Sequence, residues 1–193
     1  MLNAKQNMRM KNIVIRVNSI FLLFCGLLLC LGCSGTKQEF LTSSLSSRFP
    51  TIQGEKLSGE SVTLPDYYLG KPILLLVGYE QESQFDIDRW MLALLQLKVN
   101  ITVIEVPTIE SLGARLAKSF INEGMRRGIP QEDWGAVVTV YNDAAKIREF
   151  LGNEGGRNAH VALLDSEGKL RWFHNRGFSP AQALQIIEMI KNL

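Results

Sequence analysis

Residues 34–193 contain no cysteine. The three cysteines of the chain, Cys25, Cys30 and Cys33, all fall within its first 33 residues. A domain without thiols forms no disulfide and offers no thiolate nucleophile, so it must be held by its apolar core. Histidine is scarce too: His160 and His174 are the only two. Metal centres need three or four clustered ligands, and the sequence predicts neither a metal nor a cofactor. No G-x-S-x-G elbow, glycine-rich phosphate loop or EF-hand pattern occurs. An excess of one charge is also lacking. Without Lys5, Arg9, Lys11 and Arg16, the remaining 17 basic residues face 19 acidic ones, which removes the electrostatic case for nucleic acid. Finally, no apolar run is long. Ile20–Leu31 spans 12 residues, fewer than the roughly 18 that mark a spanning helix.

What is present begins at the N-terminus. Four basic residues without an acid precede the run Ile20–Leu31, and Gly32-Cys33-Ser34-Gly35 follows it. This is the layout of a secretory signal. Leu31-Gly32-Cys33 resembles the end of a bacterial lipobox, departing from it at Cys30 where leucine is usual. The resemblance implies a signal peptide over residues 1–32 and a lipid on Cys33 as the new N-terminus. With Ser34 next, it implies an envelope location, on the periplasmic face of the outer membrane more than of the inner. Cys30 and Cys33 have C-x-x-C spacing, but they lie in the apolar part of an export signal. A redox pair needs an exposed, electropositive setting. Residues 33–47 read as a flexible Ser/Thr-rich tether reaching about 20 Å by random-coil scaling, leaving 48–193 as the domain.

The domain alternates strand and helix signals. Pro72–Tyr79 is nearly continuously apolar, as a strand covered on both faces must be. Ser83 stands as an N-cap with Asp86 three residues on, close to a capping box. The helix from Gln84 to about Leu97 is expected to bury Ile87, Trp90, Met91, Leu94 and Leu95. Ile101–Val106 is a second inner strand. Leu112 to about Arg127 is a helix with Leu112, Leu116, Phe120 and Ile121 as its apolar stripe, ending on Arg126-Arg127 where cations favour a helix C-terminus. Ala136–Tyr141 is a third strand, Ala144–Leu151 a helix and His160–Leu164 a fourth strand. Asp165-Ser166-Glu167-Gly168 turns into Lys169–His174. Ser179-Pro180 starts the last helix, with Ala183, Leu184, Ile187 and Ile190 inward. The alternation predicts an α/β fold: a mixed, mostly parallel central sheet with helices on both faces.

This order, ending in strand, Asp-x-x-Gly turn, strand and capped helix, resembles the thioredoxin plan. Phe49-Pro50, Leu64-Pro65, Gly70-Lys71, Asp88-Arg89-Trp90, and Lys169-Leu170-Arg171-Trp172 after Leu163-Leu164-Asp165 resemble the mitochondrial ATP synthase assembly factors called ATP-ten and their bacterial lipoprotein relatives. The resemblance covers about Arg48–Leu193. It implies a thioredoxin-like fold and, from the mitochondrial members, a membrane-associated chaperone role toward a proton-channel subunit.

Working redoxins carry a cysteine at the junction between Tyr79 and Gln84, and a cis-proline in the segment that faces it. Here that segment reads Gly155-Gly156-Arg157-Asn158-Ala159-His160, so both halves of a thiol-exchange site are missing. The junction instead holds Glu80, Glu82, Asp86 and Asp88, which suit the positive end of a helix dipole and disfavour an anionic substrate. The sequence therefore points to a lipid-anchored, redox-inactive thioredoxin-like module that acts on another envelope or membrane protein as a binding or assembly (chaperone-like) module. The expected contact residues are Tyr79, Glu80, Gln81, Glu82, Gln84, Arg157 and Asn158, with no catalytic group. The alternative is an enzyme using Tyr79, Glu80, Glu82 or Asp86 as acid or base. Trp172 reads equally as a packing residue or as part of a binding face.

Overall fold

The computed structural model describes residues 45–193 apart from 112, 114, 115 and 153; Cys33, the signal segment and most of the tether lie outside the described residues. Seven strands and four helices follow one another: β1 (Ile52–Lys56), β2 (Ser61–Leu64), β3 (Ile73–Gly78), α1 (Gln84–Gln96), β4 (Thr102–Pro107), α2 (Lys118–Gly128), β5 (Val138–Thr139), α3 (Ala144–Leu151), β6 (His160–Leu164), β7 (Leu170–His174) and α4 (Pro180–Lys191). The strands pair in the orders β2-β1-β5 and β4-β3-β6-β7. Single parallel bridges, Glu105 to Val137 and Thr108 to Val140, join the two groups.

Strand β3 is central because every one of its residues is buried. Its side chains alternate between faces. Ile73, Leu75 and Val77 enter a core with Phe49, Ile52, Ile104, Val140, Ile147 and Leu151. Leu74 and Leu76 enter the opposite core with Ile87, Trp90, Leu94, Trp172, Ala183 and Ile186. Helix α3 thus covers one face, and α1 with α4 the other. Trp172 packs edge-on against Trp90 at 6.2 Å and stacks on His174 at 5.8 Å, which settles it as a packing residue.

The sheet is mixed as expected, but parallel pairing does not predominate. β3–β4 is the parallel ladder, whereas β3–β6, β6–β7, β1–β2 and β1–β5 run antiparallel. After β5 the chain passes through α3 and its loop back to the end of the sheet that it left, and His160 enters opposite Val77, near the C-terminal end of β3, so that β6 runs antiparallel. A parallel β6 would need a crossover that reaches the other end.

Three helix faces differ from their periodicity. Met91 and Leu95 on α1 and Leu184 on α4 are exposed rather than inward. Of the apolar stripe expected on α2, Leu112 lies outside the described residues, Leu116, just before the helix, is 92% exposed and Phe120 79%, and Ile121 is half-buried. Helix α2 docks through polar groups instead. Asn122, buried, accepts from the Tyr141 hydroxyl at 2.8 Å. Lys118 pairs with Glu55 at 2.7 Å, and Arg126 Nε donates to the Leu57 carbonyl at 2.8 Å. Those three positions are spaced i, i+4, i+8 on one face. At the end of the expected tether, Ser46 N–H donates to Leu170 O at 2.7 Å and Leu170 N–H to Ser47 O at 2.9 Å.

The hairpin after β6 is held by one carboxylate. Asp165 accepts from the backbone N–H of Glu167 and Lys169, each at 2.9 Å, and from Arg171 Nε at 2.6 Å. Burial alone would raise its pKa, but the Lys169 and Glu167 amides and Arg171 outweigh burial and hold it below the usual carboxylate value. Asp165→Ala should destabilise the domain by about 2–3 kcal/mol through the orphaned donors. In the parent protein this contribution is lost as pH falls through the lowered pKa, and the variant lacks that acid limb. Urea unfolding against pH checks both; an unchanged midpoint contradicts the account.

Candidate functional site

The junction between β3 and α1 is built by close approach. Gly78 ends β3 where any Cβ would sit 2.7 Å from Ser83 Oγ. The chain bends through a 3-10 turn, Gln81–Ser83, and Ser83 turns back. Its hydroxyl donates to Glu80 O at 2.6 Å and its N–H donates to the same oxygen at 3.1 Å. The expected capping box is therefore not formed. Ser83 closes the turn and makes no side-chain cap.

Asp86 is the larger departure. It is buried, with one carboxylate oxygen accepting from Ala159 N–H at 2.9 Å and the other from Phe178 N–H at 2.6 Å. In the first turn of α1 it also meets the helix dipole favourably. A single side chain thus joins the start of α1, the segment facing the junction and the lead-in to α4. Fully engaged in this way, it is no free acid or base.

The two expected loops do meet. A Cβ on Gly156 would lie 2.6 Å from Glu80 Oε1, so the Glu80 side chain rests against the bare Gly156 backbone. Glu80, Gln81, Glu82, Gln84 and Arg157 are exposed around this contact. Gln84 Nε2 donates to Asp88 at 3.0 Å. Asn158 is half-buried and structural: its N–H closes a turn onto Gly155 O at 2.8 Å and its Nδ2 donates to Asn175 O at 3.3 Å. Tyr79 must be withdrawn from the surface set. The apolar run continues through it, and it is buried, its hydroxyl donating to Ile147 O at 3.5 Å. Burial raises its pKa, partly offset by Arg148.

Behind Tyr79 lie groups that the sequence pattern did not single out. The Arg148 guanidinium stands 4.2 Å over the Tyr79 ring and pairs with Glu110 at 3.0 Å. His160 is fully buried, 4.4 Å from the Tyr79 ring and 5.8 Å from Phe173. Burial lowers its pKa to about 4, against a partial rise from the nearby Asn158 and Glu154 backbone and with a further fall from Arg148. On the α1 side of the sheet, burial pushes Glu105 up to about 7. The charge of Asp88 adds to that rise and a bond from Gln84 opposes it. Among the described residues no group of three or more His, Cys, Asp or Glu is placed to hold a metal ion, and no helix is long and apolar enough to cross a membrane.

The junction is lined by glutamates and has no cysteine, and the segment that faces it has glycines and no proline. The family model described as ATP10 protein matches residues 36–192. The chain belongs to that family. No curated protein matches it in sequence. Among solved structures, yeast Sco1 with copper bound superposes with a TM-score of 0.53 at 14% identity, covering 78% of this chain and 94% of that one. The exposed lipoprotein thioredoxin Etrx1 of Streptococcus pneumoniae gives 0.52 at 15% identity, covering 72% and 99%. A putative thiol:disulfide interchange protein DsbE of Chlorobium tepidum gives 0.51 at 16%, covering 77% and 96%. At these identities the likeness concerns the fold alone, and it places the family member among thioredoxin-like proteins.

Two outcomes follow. Asp86→Ala should orphan two buried donors, cost about 2–4 kcal/mol, and speed amide exchange at Ala159 and Phe178 together. Exchange unchanged at both positions contradicts the tie. His160 and Glu105 should oppose each other in pH dependence. As pH falls from 6.5 to about 4, the unfolded chain binds a proton that folded His160 refuses, so stability drops. As pH rises from 4.5 to about 7, folded Glu105 keeps a proton that the unfolded chain releases, so stability drops in that direction. Glu105→Gln should therefore stabilise the protein near neutrality by up to about 3 kcal/mol and steepen its acid decline. Superimposable urea–pH profiles for the variant and its parent contradict this.

Proposed function

We propose that this protein is a lipid-anchored envelope lipoprotein whose thioredoxin-like domain acts as a binding or assembly module without thiol chemistry. The observation that carries the reading is the junction itself. Where the fold commonly presents a reactive sulfur, this chain has Glu80, Gln81 and Glu82, and residues 34–193 have no cysteine at all. Membership of the ATP10 protein family supports an assembly role, and the lipobox-like Leu31-Gly32-Cys33 supports the anchor. The partner is another envelope or membrane protein, received at the exposed loop Glu80–Gln84 and at Arg157. Two exposed glutamates favour a partner segment that is cationic or polar.

The rival acid/base enzyme is the weaker reading. Of its four candidate groups, Asp86 is engaged by two backbone donors and Tyr79 is buried, leaving two exposed glutamates without a third group to orient them.

The test is affinity capture of the native protein from membranes beside a variant with Glu80–Gln84 replaced by glycine and serine. Intact mass is measured on both. The expected result is an acylated N-terminus at Cys33 in each and loss of a specific membrane partner, about tenfold or more, from the variant alone. Equal recovery of that partner contradicts the placement of the site, and an unmodified Cys33 contradicts the anchor.

A further inference from the structure

Helix α1 carries large apolar side chains on the side away from the sheet. Phe85 is 72% exposed, Leu92 55% and Leu95 75%, with Met91 and Leu97 also exposed. Helix α4 packs into the same core, through Ala183 and Ile186 beside Ile87, Trp90 and Leu94. Both helices therefore lie on one face of the sheet, and their outward sides form one surface, to which α4 adds the exposed Leu184. Apolar stripes of this kind are not needed for folding and mark an interaction face.

Three features say what covers it. The first is where the chain outside the described residues arrives. Ser46 bonds Leu170. Leu170 pairs with Leu164, Leu164 with Ile73, and Ile73 with Thr102. The chain thus enters at the end of the sheet where α1 finishes and leads into Thr102. The second is length: only the 12 residues 34–45 separate Cys33 from the first paired residue, Ser46, a length that spans about 20 Å by random-coil scaling. The third is charge. Arg89 and Lys98, both exposed, flank Leu92 and Leu95, whereas the exposed acids Glu80 and Glu82 stand beyond the N-terminal end of α1. Asp88, exposed and hydrogen-bonded to the neutral Gln84, leaves the rim with two cations against one acid. A cationic rim around an apolar stripe fits an anionic phospholipid surface.

We propose that the C-terminal half of the outer face of α1 rests on the phospholipid surface, Leu92 and Leu95 entering the boundary between headgroups and acyl chains. This rests on the lipoprotein reading above and assigns the lipid a second contact besides Cys33. Docked this way, the C-terminal end of α1 lies against lipid while the Glu80–Gln84 loop stays clear of it, facing a membrane partner.

The absence of other thiols makes the test direct. The acylated protein is prepared with Leu92→Cys, Leu95→Cys or, as a control on the β1–β2 turn, Ser58→Cys, and each thiol carries an environment-sensitive fluorophore. In protein-free vesicles of mixed phosphatidylcholine and phosphatidylglycerol, acyl-chain-brominated lipid should quench positions 92 and 95 at least about threefold more than position 58. Equal quenching overturns the proposal. So does a label at 92 that stays in water in these vesicles yet is shielded in native membranes, which assigns the face to a protein instead. Acylation of Cys33 is read separately by mass. If Cys33 is unmodified, the full chain with Cys25, Cys30 and Cys33 replaced by serine is labelled and added to the vesicles, and the same contrast decides the face independently of the anchor.

Discussion

One buried carboxylate holds together the part of this domain where function is expected. Asp86 reaches Ala159 and Phe178, 73 and 92 residues away in sequence. Burying a carboxylate is costly unless its oxygens are satisfied. Here each oxygen takes a backbone donor, and both donor residues are also seated in the core, Ala159 fully buried and Phe178 edge-on to Trp90 at 5.4 Å. The pair of bonds and this packing together set the Gly155–Ala159 loop against the junction and the segment leading into α4. In a thioredoxin-like frame the same junction offers a helix N-terminus to a thiolate. This chain uses it to fix a structural anion. The favourable electrostatics of the helix end are thereby spent on architecture.

Around this tie the domain separates rigid from available parts. Strand β3 is buried throughout and supplies both cores. Glu80 rests on Gly156, which sets the loop at a defined height above the sheet. What remains exposed is a short polar rim and, along α1, an apolar stripe. These suit different contacts: a polar loop selects a protein, and an apolar face with cations suits a lipid surface.

Most of the framework was legible in the residues. Unbroken hydrophobicity marked β3, Asp165 and Gly168 marked the hairpin, Ser179-Pro180 marked the start of α4, and Ile87, Trp90 and Leu94 were placed in the core correctly. The failures share a cause. Periodicity reports which side chains are apolar, not which face has a neighbour, so Met91, Leu95, Phe120 and Leu184 were turned inward when nothing covers them. The polar face of α2, with Asn122 between Tyr141 and Glu55, carries no such signal. Asp86 looks the same locally whether it caps a turn or reaches across the fold. Glu105 hides in a strand whose alternate side chains face α1, and its raised pKa arises from that cover. The antiparallel entry of β6 leaves no mark in a pattern of alternating elements.

The central claim is that the cysteine-free junction receives a protein. Its most direct test is a photo-crosslinking residue at Gln81 in the acylated protein, activated in intact cells, with the same residue at Ser58 as reference. The account predicts one discrete crosslinked envelope or membrane protein from position 81 that is absent from position 58. Crosslinking at 81 that is no more specific than at 58 would contradict it.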